Sequence, residues 1–159
     1  IQGGERVLDL GCGSGILSIA ALRLGAASAL AVDIDEQCLT VARDNAALNG
    51  IGPDTYTVRV GDLFTDEGFR ASLGGGYDIL LANIVAYVII ALAPFVRSGG
   101  GRGGALAPFV RSLLRPGGLF LCSGIIDTRA GEVAEAIRQS GLTLLEQQEA
   151  DGWCAYTCR

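Results

Sequence analysis

A short apolar run, Arg6 to Leu10, leads straight into Gly11-Cys12-Gly13-Ser14-Gly15. An Ala- and Leu-rich segment, Ile16 to Leu24, follows it. Glycines let a backbone turn sharply and approach a ligand closely, and a helix that starts there offers unpaired N–H groups at its first turn. In dinucleotide enzymes such a loop faces a pyrophosphate with the spacing GxGxxG. Here the spacing is GxGxG and Ile16 comes next, which departs from that pattern. Asp33 lies 22 residues after Gly11, at the end of a second apolar run, Ala29 to Val32. A carboxylate at that place can accept two hydrogen bonds from ribose hydroxyls. NAD and S-adenosylmethionine both carry that ribose, so Asp33 alone leaves the two open.

Two further clusters carry chemistry. In Gly61-Asp62-Leu63-Phe64 an acidic side chain can accept from an adenine amino group while apolar neighbours sandwich the ring; a plain Gly-Asp turn is the competing reading. Asn83-Ile84-Val85-Ala86 follows the run Asp78 to Ala82. Methyl transfer from a sulfonium is an in-line displacement, so an enzyme must hold the nucleophile close, aligned and dry. The Asn83 carbonyl and nearby backbone carbonyls can orient an attacking amine by accepting its N–H bonds. Asp35 reads as an N-cap for a helix from Glu36, Asp44 as part of a solvated face, and Trp153 and Tyr156 as packing residues of a terminal hairpin.

What the sequence lacks also narrows the chemistry. All 12 basic residues are Arg; Lys, His and Met are absent. No Ser-His-Asp triad, His-based metal site or phosphate-loop Lys can be assembled, so no metal is expected. A general base must be Asp, Glu, Tyr or solvent. The net charge of −5 argues against broad contact with nucleic-acid phosphates; it would suit a basic protein partner, and equally reads as the mild acidity common among enzymes. The five cysteines, Cys12, Cys38, Cys122, Cys154 and Cys158, form no CxxC pair and read as reduced, buried thiols of a cytoplasmic protein. No apolar run reaches the roughly 18 residues of a membrane helix, and no secretory signal is visible.

The elements that must position these residues alternate. Strands are expected at Arg6 to Leu10, Ala29 to Val32, Tyr56 to Val60, Tyr77 to Ala82 and Leu119 to Cys122. Helices are expected at Ile16 to Leu24, Glu36 to Asn49 and Asp127 to Gln139, closed by Gly25, Gly50 and Gly141. The helix Glu36 to Asn49 is expected to bury Leu39, Val41, Ala42, Ala46 and Leu48. Arg115-Pro116-Gly117-Gly118 should break the chain before the fifth strand, and Asp151-Gly152 should turn a closing hairpin. The sequence therefore predicts an α/β fold, Rossmann-like, with a mostly parallel seven-stranded sheet, a C-terminal antiparallel hairpin and helices on both faces. Ligands of such sheets bind beyond the carboxyl ends of the strands, where Asp9, Asp33, Asp62 and Asn83 all fall.

The octapeptide ALAPFVRS occurs twice, at Ala91 to Ser98 and Ala105 to Ser112, with Gly99 to Gly104 (GGGRGG) between. This is a local duplication within 91–112, not a solenoid. Either copy can supply the helix that leads into the fifth strand.

The segments VLDLGCGSGILSIAALRLGA, AVDIDEQCLTVARDNAALNG, YDILLANIVA and RPGGLFLCSGI, with the tail Gly152-Trp153-Cys154, resemble the PrmA family, class I methyltransferases of the large-subunit ribosomal protein L-eleven. Glutamine-modifying relatives would show Asn-Pro-Pro-Tyr where this chain has Asn-Ile-Val-Ala. The resemblance implies S-adenosylmethionine as cofactor and N-methylation of amino groups of a ribosomal protein. It implies that Gly11 and Asp33 contact the cofactor and that Asn83 sits between cofactor and amine as the catalytic residue. The full cofactor set expected is Asp9, Gly11, Gly13, Gly15, Asp33, Ile34, Asp62, Leu63 and Asn83. Residues 1–159 are expected to be one cofactor-binding domain, without the family's amino-terminal recruiting domain or the Thr-containing segment before it. A small-molecule methyltransferase and a non-catalytic S-adenosylmethionine-binding fragment are the alternatives.

Overall fold

The computed structural model describes residues 1–84, residue 86 and residues 106–159. The first ALAPFVRS copy and the Gly-rich run after it lie outside the described residues. The second copy supplies a helix, as one of the two expected options required.

The element order is β1 (Arg6–Leu10), α1 (Ile16–Arg23), β2 (Ser28–Asp33), α2 (Glu36–Leu48), β3 (Tyr56–Val60), α3 (Glu67–Ser72), β4 (Tyr77–Asn83), α4 (Leu106–Leu113), β5 (Leu114–Ile126), α5 (Ala130–Gln139), β6 (Leu144–Ala150) and β7 (Trp153–Cys158). A 3₁₀ turn, Asp127–Arg129, enters α5. The seven strands form one sheet in the order β3-β2-β1-β4-β5-β7-β6. Strands β1 to β5 pair in parallel, and β7 pairs antiparallel with both β5 and β6. This is the predicted sheet. The chain winds outward from β1 to β3 and then crosses to β4, so the switch point of the sheet lies between β1 and β4.

Central parallel strands are apolar on both sides because helices cover both faces. Successive residues divide accordingly. Val7, Ala31 and Ile79 join one core with Ile19, Ala21, Ala42 and Ala46 of α1 and α2. Leu8, Val32 and Leu80 join the other with Val110 and Leu113 of α4 and Val133 and Ile137 of α5. The alanines facing the first core let both helices lie close to the sheet.

Four expectations need correction. Val41 and Leu48 are 47% and 85% exposed, so α2 buries a narrower stripe centred on Ala42 and Ala46. Helix α3 was not foreseen. It has six residues, none of them buried, and no apolar period to reveal it; its start is fixed by Asp66, which accepts from Phe69 N at 2.8 Å. Strand β5 is not broken off by Arg115-Pro116-Gly117-Gly118. It absorbs these residues as a bulge, with Tyr77 opposite Leu114 and Ile79 opposite Leu119. Gly118 fits only because it lacks a Cβ, which would lie 2.9 Å from the Tyr77 carbonyl oxygen. Trp153 does not pack inside the hairpin; it is 54% exposed.

Tyr156 does pack inward, donating from its hydroxyl to the Ala130 carbonyl at 2.8 Å. The hairpin turn has φ +51 at Asp151 and +78 at Gly152, the two left-handed residues of a type I′ turn. All five cysteines are free, with Cys38 half-buried and the other four buried. No helix among the described residues is long and apolar enough to cross a membrane.

Candidate functional site

The glycine loop is shaped by its own backbone. Gly11, Gly13 and Gly15 have φ of +71, +52 and +78, conformations that side chains with a Cβ disfavour. Gly11 N and Cys12 N both donate to Val32 O, at 2.9 and 3.0 Å. Asp33 then ties β2 to the loop. Its Oδ2 accepts from Gly13 N at 2.9 Å and its Oδ1 from Asp35 N at 3.0 Å. Each carboxylate oxygen keeps a further lone pair for a ligand hydroxyl. Asp35 caps α2 as expected, accepting from Gln37 N at 2.9 Å.

Gly11, Asp33, Ile34, Asp62 and Leu63 meet on the wall of one cavity of about 390 Å³ at the carboxyl ends of β1 to β3. Leu10, Val32, Gly61, Phe64 and Ile84 complete it. Ile34 and Phe64 are 66% and 43% exposed at its mouth. Two acids and an apolar rim therefore surround a slot wide enough for a ring system. Asp62 also organises its own turn. Its Oδ1 accepts from Phe64 N at 2.7 Å and its Oδ2 from the Thr65 hydroxyl at 2.5 Å. The Thr65 hydroxyl and the Phe64 amide hold this carboxyl below its usual range.

Asp9 is not on that wall. It is 1% exposed, and its Oδ2 accepts from Ser18 N at 3.2 Å and Ser18 Oγ at 2.6 Å. Asp9 thereby holds the first turns of α1 beneath the loop. Burial raises its pKa, and the bonds from Ser18 oppose that shift. Gly13 and Gly15 also lie off the cavity wall. Gly13 reaches the site through Asp33. Gly15 answers a packing demand, since a Cβ there would lie 2.5 Å from Tyr56 Oη and 3.0 Å from Ala42 Cβ. The same Tyr56 hydroxyl is buried without a hydrogen-bond partner among the described residues.

Ile84 was not among the cofactor residues expected from the sequence, where nothing in the local spacing marks it as a cavity wall. A Cβ on Gly11 would lie 2.6 Å from Ile84 Cγ2, so the loop turn and Ile84 fit one another. Burial pushes the thiol of Cys12, in the same loop, up to about 12, which favours its protonated form.

Asn83, one residue before Ile84, opens on a second cavity of about 800 Å³. Ser123, Gly124, Glu149 and Trp153 stand on its walls. Asn83 Nδ2 donates to Ser123 Oγ at 2.8 Å, and Asn83 Oδ1 has no donor among the described residues. Beside it, β5 carries a second bulge, Cys122 pairing Tyr156 and Ile125 pairing Cys154. Gly124, at φ +79, forms that bulge. A Cβ on Gly124 would lie 3.3 Å from both Asn83 Oδ1 and Ile84 O. Two carbonyl oxygens thus converge on one small space, a geometry that can receive the N–H groups of an amine.

Comparison with known proteins shows the family and the fold. The family model described as "Ribosomal protein L11 methyltransferase (PrmA)" matches residues 1–159. The Ribosomal protein L11 methyltransferase of Agathobacter rectalis is 40% identical over 154 residues, which is 96% of this chain and 43% of the relative. That of Pseudomonas paraeruginosa is 42% identical over 151 residues, 94% of this chain and 43% of the relative. The chain therefore spans less than half the length of these relatives. Among solved structures, a ribosomal protein L11 methylase from Lactobacillus delbrueckii subsp. bulgaricus superposes with a TM-score of 0.80 at 30% identity, covering 98% of this chain and 70% of that one. A putative methyltransferase complexed with SAH, SMU.776, superposes at 0.74 with 16% identity over 98% of this chain and 45% of that one, a likeness of fold alone.

Proposed function

This chain belongs to the Ribosomal protein L11 methyltransferase (PrmA) family, and from that premise we propose that it binds S-adenosylmethionine across the crest of its sheet and methylates amino groups of a ribosomal protein. The observation that carries the proposal is the pairing of two cavities at the end of β4, with Ile84 on the wall of one and Asn83 on the wall of the other. When bound, S-adenosylmethionine supplies an electrophilic methyl group on a sulfonium.

The chain's own residues do the rest. Asp33 would hold the ribose hydroxyls through its remaining lone pairs. Ile34, Leu63 and Phe64 would hold the adenine, with Asp62 as acceptor for its amino group. The turn at Gly11 would make room for the amino-acid tail. Asn83 Oδ1 and Ile84 O accept the two N–H groups of a neutral amine and direct its lone pair toward the methyl donor. The exposed face of Trp153 and the carboxylate of Glu149 suit the stem and charge of an incoming amine. Residues 1–159 act here as one cofactor-binding domain, in keeping with a cytoplasmic protein.

Calorimetry with S-adenosylhomocysteine tests the cofactor half. Heat is expected from the wild-type chain, a loss of roughly tenfold or more in affinity from Asp33→Ala, and none from NAD. Binding of NAD in place of the adenosyl ligand would reverse the assignment. The acceptor half is tested by transfer of labelled methyl groups to ribosomal protein, read against a pool of small amines.

A further inference from the structure

At the opposite end of the sheet from the paired cavities lies a third concavity, of about 450 Å³. Three arginines line it: Arg111 at the end of α4, Arg115 at the start of β5 and Arg159 after β7. They come from three separate stretches of sequence, so only the fold brings them together. Each is placed differently. Arg111 Nη1 donates to Gly141 O at 3.3 Å. Gly141 turns the chain here at φ +80, a conformation that favours glycine. Arg115 is held by Asp78 through its Nε and donates from Nη1 to Pro116 O. Arg159 is fixed by its backbone, which exchanges hydrogen bonds with Thr143 in both directions.

Among the described residues Asp78 is the one carboxylate in ion-pair contact with this group, and Arg111 and Arg159 have no acidic partner. A chain of net charge −5 thus gathers three of its 12 arginines around one hollow, with Asp78 the one acidic side chain paired to them among the described residues. Like charges gathered around one hollow favour an anion among them. The planar guanidinium fork matches the oxygens of a phosphate group, often through two bonds at once. We infer that this concavity binds a phosphate-type oxyanion, either free in solution or borne on a nucleic-acid backbone. The inference goes beyond the proposed methyl transfer and does not rest on it.

Calorimetry of the 159-residue chain at low salt, with inorganic phosphate and separately with a short single-stranded RNA, tests it. Binding is expected in the wild type and weakened about tenfold or more in both Arg111→Gln and Arg159→Gln. Arg138→Gln removes the same charge from an exposed pair with Glu135 on α5 and is expected to leave binding unchanged. Arg159 holds its place through its backbone, so its variant decides the matter if Arg111→Gln fails to fold. Phosphate binding alone identifies a free anion; tighter RNA binding with the same arginine dependence identifies a backbone source. No binding of either probe, or an equal loss in Arg138→Gln, overturns the inference.

Discussion

Asn83 ends β4 opposite Ser123 of the neighbouring parallel strand β5, and the Asn83 amide nitrogen donates to the Ser123 hydroxyl at 2.8 Å. That bond decides which end of the amide faces the cavity, because it occupies the nitrogen and not the oxygen. Asn83→Ala is expected to lower turnover by about 100-fold or more while cofactor affinity stays within about threefold. Ser123→Ala should lower turnover less, since the amide loses its tether and keeps its oxygen. Methyl transfer and calorimetry on the same preparations check both; equal losses of affinity and turnover would remove Asn83 from the acceptor side.

Gly15 and Tyr56 form a pair whose coupling can be measured. Gly15→Ala places a Cβ 2.5 Å from Tyr56 Oη at a φ of +78. The expected cost is about 2–4 kcal/mol, from left-handed strain together with overpacking. Tyr56→Phe removes a buried hydroxyl that lacks a partner and should change stability by no more than about 1 kcal/mol. In the double variant part of the Gly15→Ala loss should return, and denaturant unfolding of the four chains gives the coupling energy. Simple additivity would show that Tyr56 does not set the glycine requirement.

Asp9 is expected to act on stability before binding. Asp9→Ala leaves Ser18 N and Oγ without their buried acceptor, at a cost of about 1–3 kcal/mol. Thermal unfolding should record this loss. Calorimetry at a temperature where the variant remains folded should find the adenosyl ligand still bound. A stable variant that no longer binds would return Asp9 to the ligand.

Asp78 predicts a pH dependence. The Arg6 amide, at 2.8 Å, and the Arg115 guanidinium hold its carboxyl below the usual range. A depressed folded value means that the contribution to stability is full above the unfolded carboxylate pKa and is lost as pH falls through the folded value. Asp78→Asn should therefore be less stable than wild type near neutrality, and the difference should shrink on acidification below the usual carboxylate range. A difference independent of pH would contradict the assignment.

Much of this was legible in the sequence because it depends on local spacing. The run from Val7 to Gly15, the capping Asp35 and the Asp151-Gly152 turn each specify backbone geometry within a few residues. Alternation of apolar strands with helices was enough for the sheet and its closing hairpin, and with them the crest where Asp33, Asp62 and Asn83 fall. The misplaced features are those in which distant atoms compete. Asp9 sits beside the glycine loop in sequence, yet the fold turns it inward to Ser18. Gly15 shares a motif with Gly11, but its neighbour is Tyr56 from a strand some forty residues away. Ile84 as a cavity wall, Gly124 as the gap between two carbonyls and the three arginines around one hollow leave no periodic trace. Side-chain direction and long-range packing set those relationships, and only a folded chain fixes both.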